Sequence, residues 1–135
     1  MQTPKTSIAL AAAVAAVAAF VCTPAAAATP QEILQGYSSA AGGAAQPARG
    51  QAFFNGTHGR EWSCSSCHGA PPTQQGKHAA TGKAITPLAP AFNPQRFTDA
   101  GKVEKWFRRN CGDVVGRECT AGEKADVMAW LLTLK

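Results

Sequence analysis

Toward the C-terminus the apolar positions fall into a helical rhythm. Val103, Trp106 and Phe107 recur at i, i+3 and i+4, and Asn110 completes the series at i+7, while Lys102, Glu104, Lys105, Arg108 and Arg109 point away from it. The stretch FTDAGKVEKWFRRN therefore predicts an amphipathic helix with Thr98 or Asp99 as its cap. A second helix follows in CTAGEKADVMAWLLTLK, where Thr120 and Glu123, three residues apart, spell a capping box. Val127, Trp130, Leu131 and Leu134 form its apolar stripe, and Met128 lies about 110° from the stripe centre.

Upstream, TPQEILQGYSS carries the same kind of start signal. Thr29 can cap, Pro30 suits the first helical position and Glu32 completes a box, although these residues also fit a frayed terminus. A glycine and alanine hinge, AAGGAAQ, separates it from a helix expected at about Pro47 to Asn55, which brings Gly50, Phe53 and Phe54. From Gly69 to Pro94 the chain is rich in proline, glycine, threonine and glutamine without a helical period, and reads as a long ordered loop. Sustained strand alternation is absent, so the expected fold is all-α, four to five helices with long loops.

The first residues have a different character. A lysine-bearing stub, MQTPKTS, precedes an apolar run from Ile8 to Val21 and then the small-residue stretch CTPAAAATP, the layout of a secretory signal peptide over residues 1–28. The run is about 14 residues long against roughly 20 for a membrane span, so a retained anchor is the weaker reading and the mature protein is not expected to span a membrane. Processing as a lipoprotein through Cys22 is disfavoured by the bulky Val21 before it. Cleavage before Thr29 leaves residues 29–135 as one compact domain in the periplasm. Lys5 leaves with the leader, so 13 basic side chains become 12 against 8 acidic ones, a balance of +4. Such mild basicity, without an aromatic-interleaved basic patch, gives no reason to expect a nucleic-acid partner.

Chemistry concentrates in WSCSSCHGAPP, where Cys64, Cys67 and His68 form C-x-x-C-H, the attachment signature of a c-type haem. The two thiols would bond the porphyrin edge and His68 would take one axial position of the iron. A thioredoxin-like C-x-x-C needs a βαβ pattern that is missing. A zinc site borrowing His58 or His78 would lack a second tight ligand pair. With Cys22 gone and two thiols used, Cys111 and Cys119 remain. One disulfide can then form in an oxidising compartment, worth about 2.5 kcal/mol in the chain-entropy account of a short loop.

The sixth iron position separates an electron carrier from a protein that binds small gases. Met128 is the one methionine of the expected mature chain, but it sits mid-helix and off the stripe, where peripheral packing suits it better than ligation. His58, in NGTHGRE, and His78, in TQQGKHAATGK, lie in polar runs that read as solvent-facing. Asn110 falls within about 10° of the centre of its helix's apolar stripe. A buried amide there needs a partner, yet asparagine is also common at helix C-caps, and periodicity alone leaves both readings open.

The order of helices around C-x-x-C-H, with a glycine and aromatics before it and an aromatic-rich C-terminal helix, resembles a small class I cytochrome c. In that family the first and last helices cross, and Gly50 would permit close approach to Trp130. More specifically, FTDAGKVEKWFRRNCGDVVGRECTAGEKADVMAWL, with CSSCHGA and TGKAITPLAP, resembles the sphaeroides haem protein family of oxygen-binding monohaem cytochromes c. The resemblance implies one covalent haem c on Cys64 and Cys67, His68 as proximal ligand and Asn110 as distal ligand of the ferric iron. It also implies a Cys111–Cys119 disulfide beside Asn110. Release of Asn110 on reduction would let O2, NO or CO bind, with electrons from a di-haem cytochrome c or a membrane cytochrome b. Reactivity toward oxygen, peroxide or nitric oxide would follow from such a site. The competing class is a plain electron-transfer cytochrome c with a methionine or histidine in the sixth position.

Overall fold

The computed structural model describes residues 27–135, so the signal peptide expected at 1–28 lies almost entirely outside the described residues. Five helices and one small hairpin run in the order α1 (Pro30–Ala41), α2 (Pro47–Asn55), α3 (Cys64–His68), β1 (Gly76–Lys77), β2 (Ala84–Ile85), α4 (Ala100–Val114) and α5 (Ala121–Thr133). Among the described residues no helix is long and apolar enough to cross a membrane.

Local chemistry sets the helix ends. Thr29 and Glu32 form a reciprocal capping box at the start of α1, so this segment is an ordered helix start and not a frayed end. The helix stops at Gly42, whose left-handed backbone (φ 69°) a residue with a side chain would adopt only with strain. Thr120 and Glu123 build the same box on α5, and Asp99 alone caps α4 by accepting the Lys102 N–H at 2.9 Å. For α2, Pro47 takes the first turn. Its N-cap residue Gln46 has no cap of its own kind and donates its backbone N–H to Asp126 on α5, at 2.7 Å.

The core lies where α1 and α2 pack on α5. Phe54, Val127, Trp130 and Leu131 form one buried cluster, with the Phe54 and Trp130 rings 5.0 Å apart; Ile33, Val103 and Met128 form another. Fully burying such side chains contributes about 1.5 to 3 kcal/mol each, which makes these clusters the main hold on the fold. Met128, wholly inaccessible, sits at the centre of the second cluster and not at the periphery that helical spacing assigns it. Gly50 also departs from expectation. A Cβ there would land on the backbone carbonyl of Asp126, so the glycine admits α5 at Asp126 and Val127 and not at Trp130. The buried Asp126 carboxylate receives Arg49 as well as the Gln46 N–H, and so none of its charge is left unpaired.

Helix α4 is held differently, through side chains more than by backbone approach. Val103 enters the Ile33 and Met128 cluster, and Phe107 meets the Tyr37 ring edge-on at 5.8 Å. Glu104, expected to point away, instead reaches α1 and α5: it accepts from the Tyr37 hydroxyl at 2.8 Å and from the Lys124 ammonium at 2.7 and 2.9 Å. The helix continues past Asn110 to Val114, which removes the C-cap reading of that asparagine, and the capping position falls to Val115. Near this end Cys111 and Cys119 are joined by a disulfide, their Cα atoms 5.7 Å apart, and Arg60 donates to the Asp113 carbonyl.

The segment read as a long loop does contain the β1–β2 hairpin, two residues per strand and too short to show alternation in sequence. The rest of it is held by irregular bonds. The Pro72 carbonyl accepts from both Leu88 and Ala89, and Arg96 donates to the Pro87 and Thr86 carbonyls.

Candidate haem site

Cys64, Cys67 and His68 share the single short turn of α3, which the sequence turns into a helix by a serine box: Ser63 accepts from the Ser66 N–H, and the Ser66 hydroxyl accepts from the Ser63 N–H. Three residues so spaced on one short helix could all reach a single flat ligand. Both cysteines are free and half-buried. Burial pushes the Cys64 thiol up to about 11, so it is a thiol packed against the Phe54 and Trp130 cluster and not a solvated thiolate. Cys67 lies under the hairpin, with the Ala79 N–H 3.3 Å from its sulfur.

His68 is the most distinctive group. Its ring lies 6.2 Å from Phe54, and its buried Nδ1 has no hydrogen-bond partner. Burial foremost, then the positive charge of Arg96, pushes the imidazole down to about 4, so it is neutral near pH 7 and its lone pair is available to a metal. A buried unpaired ring nitrogen costs about 1 to 3 kcal/mol in a finished core. Two free thiols, a neutral imidazole and apolar surroundings fit a covalently attached haem. Close packing behind them supports the same reading: a Cβ on Gly76 would collide with the Cys67 carbonyl, so the hairpin backbone lies directly against the attachment turn.

The other candidates for the iron lie on different elements of the fold. Met128 is locked between Ile33 and Val103. His58 is exposed, its ring 4.3 Å from that of Phe53 and its Nε2 2.8 Å from the Phe53 carbonyl. His78 is half-buried in the hairpin turn, where its Nδ1 accepts the Thr81 N–H at 3.3 Å. Asn110 is half-buried on α4, and among the described residues its side-chain amide makes no hydrogen bond. Of its predicted stripe, Val103 is buried and Phe107 half-buried, whereas Trp106 is 46% exposed beneath the Arg109 guanidinium.

Sequence reasoning missed Gly76, Arg96 and the Tyr37–Glu104–Lys124 link. Gly76 and Arg96 had no signal beyond residue type, since the contacts that matter are with distant backbone. Lys124 carried a faint one, a cation next to the apolar stripe of α5.

Fold and attachment turn together define a monohaem c-type cytochrome of the all-α kind. A family model described as domain of unknown function (DUF1924) matches residues 40–131. Cytochrome c-type protein SHP of Cereibacter sphaeroides is 50% identical over 107 residues, covering 76% of this chain and 82% of that protein. Cytochrome c'' of Methylophilus methylotrophus is 47% identical over 88 residues, 62% of this chain and 61% of that one. Among solved structures, oxidised SHP, an oxygen-binding cytochrome c, matches at TM-score 0.74 and 48% identity, covering 78% of this chain and 97% of that one. Oxidised cytochrome c'' matches at TM-score 0.71 and 38% identity, covering 78% and 94%. The chain belongs to the SHP family of cytochromes c, and its cofactor is haem c.

Proposed function

We propose that this protein is a periplasmic monohaem cytochrome c, released from a leader at residues 1–28, that binds small gases when reduced. In this reading Cys64 and Cys67 hold the haem, His68 is the proximal ligand and Asn110 is the distal ligand of the ferric form only. The observation that carries it is Asn110 itself: a half-buried amide inside α4, in line with Val103 and Phe107 and without a partner among the described residues. The named relatives are consistent with it, one being an oxygen-binding cytochrome c and the other studied for haem-ligand detachment.

Haem bound here supplies an iron that accepts one electron and, when a face is open, a neutral diatomic ligand. His68 contributes a neutral imidazole, kept unprotonated by burial. Asn110 would offer an amide oxygen, a tolerable donor to ferric iron and a poor one to ferrous, so an added electron would weaken its hold. Released from the iron, the same side chain would have an NH2 group able to donate a hydrogen bond to a bound ligand. The Cys111–Cys119 bridge, one residue away, limits how far it swings. Electrons would come from a di-haem cytochrome c or a membrane cytochrome b, and turnover of oxygen, peroxide or nitric oxide is the chemistry such a site permits.

A plain electron carrier with a methionine or histidine in the sixth position is the second reading. The burial of Met128 between Ile33 and Val103 speaks against a methionine there. Replacing Asn110 separates the two: Asn110→Ala should open the ferric site to water or added anions and leave the ferrous spectrum nearly unchanged. A ferric spectrum identical to wild type would remove Asn110 as the ligand.

A further inference from the structure

Besides the packing of Val103 and Phe107 and the Arg60 bond, helix α4 has two holds that flank Asn110. One is covalent, the disulfide on Cys111 directly after it. The other is Glu104, whose carboxylate is gripped by the Lys124 ammonium at 2.7 and 2.9 Å and by the Tyr37 hydroxyl at 2.8 Å. The gripping groups sit on α1 and α5, which pack on each other and on the core clusters. Lys124 is itself buried, its Nζ 5.4 Å from the centre of the Tyr37 ring, and has little freedom to follow a moving partner. Lys124 first and then Tyr37 hold the Glu104 carboxyl below its ordinary range, so it stays charged in the grip.

Geometry gives this hold leverage. Glu104 and Asn110 are six residues apart, about 9 Å along the axis and about 120° around it. Glu104 therefore fixes the rotation of α4 from a face that Asn110 does not share. Side chains reach roughly 5 to 6 Å from a helix axis, so a rotation of about 20° carries the end of one through about 2 Å. A displacement of that size breaks a coordination bond.

We propose that Glu104, held by Lys124 and Tyr37, is a positioning residue that sets the rotation of α4 and thereby whether the Asn110 amide reaches the ferric iron. The inference rests on the reading of Asn110 as distal ligand. Losing the grip weakens ferric ligation, raises the high-spin fraction of the ferric protein and raises the reduction potential, because the oxidised form alone loses a ligand. The ferrous form, already without Asn110, is indifferent.

The test compares the wild-type holoprotein with Glu104→Gln, Tyr37→Phe and Asn110→Ala, each as full-length processed protein. It reads the ferric spin state by electron paramagnetic resonance and the midpoint potential by spectroscopic titration. Glu104→Gln should weaken the ferric bond about tenfold, a rise of about 59 mV for one electron. Tyr37→Phe should move both readouts in the same direction by less, and neither should alter the ferrous spectrum. A merely structural role would lower the melting temperature and leave spin state and potential alone. That outcome, with Asn110→Ala still changing the ferric spectrum, overturns the proposal. If Asn110→Ala changes nothing, the ligand reading fails first and the proposal with it. Should Glu104→Gln not fold, Tyr37→Phe decides by the same two readouts, and wild-type values there overturn the proposal.

Discussion

Gly50 and Asp126 meet backbone to backbone where α2 crosses α5, so closely that a Cβ on the glycine would collide with the aspartate carbonyl. The crossing fixes the angle between the helix that leads into the attachment turn and the helix that carries Trp130. Gly50→Ala must push the two apart, against the Phe54 and Trp130 packing and the Arg49–Asp126 pair. Overpacking of this kind costs about 1 to 3 kcal/mol, and in a domain of this size each kcal/mol lowers the melting temperature by roughly 4 to 8 °C. A thermal melt of the variant within a degree of wild type would mean the helices do not cross this tightly.

The helices that carry this crossing were legible because their signals are local. Pro47 to Asn55 is the observed span of α2, and the Thr29–Glu32 and Thr120–Glu123 boxes form as their spacing suggests. C-x-x-C-H is equally plain, since one turn carries all three residues. What stayed hidden depends on distant parts of the chain. Periodicity put Glu104 on a solvent face, but it cannot register that α1 and α5 bring Tyr37 and Lys124 to that face. It placed Met128 off the α5 stripe, yet α5 is covered on more than one side, and the second side is where Met128 is buried. The end of α4 was left open for a related reason: beyond Asn110 the Cys111–Cys119 bridge and the Arg60 bond steady a last turn that closes at Val115, and neither contact is local in sequence.

Acid should reveal the α5 cap. The Arg117 guanidinium foremost, with the Thr120 N–H, lowers the Glu123 carboxyl to about 2 from an ordinary 4.5. A depressed carboxylate contributes stability above its unfolded value and loses it as pH falls through its folded value. At pH 7 Glu123→Gln should therefore be less stable than wild type by about 1 kcal/mol, the size expected of a partly exposed pair. The gap should close between pH 4.5 and about 2, as measured by urea unfolding at stepped pH. A gap that is constant down to pH 2 would show that the Arg117 pair contributes nothing.

Mass and thiol chemistry test the cysteine assignments together. The mature protein should carry one haem that acidified organic solvent does not extract, with both thioethers mapping to Cys64 and Cys67. Alkylation without reductant should find no free thiol, because Cys111 and Cys119 are bridged. Two reactive thiols on freshly purified oxidised protein would remove the covalent hold beside Asn110.

The measurement closest to the central claim is the spectrum of the anaerobically reduced wild-type protein before and after carbon monoxide. The account predicts a six-coordinate ferric form, a five-coordinate high-spin ferrous form and prompt binding of carbon monoxide on reduction. A ferrous protein that remains low-spin and ignores carbon monoxide would contradict it, because a strong ligand would then hold the sixth position in both oxidation states.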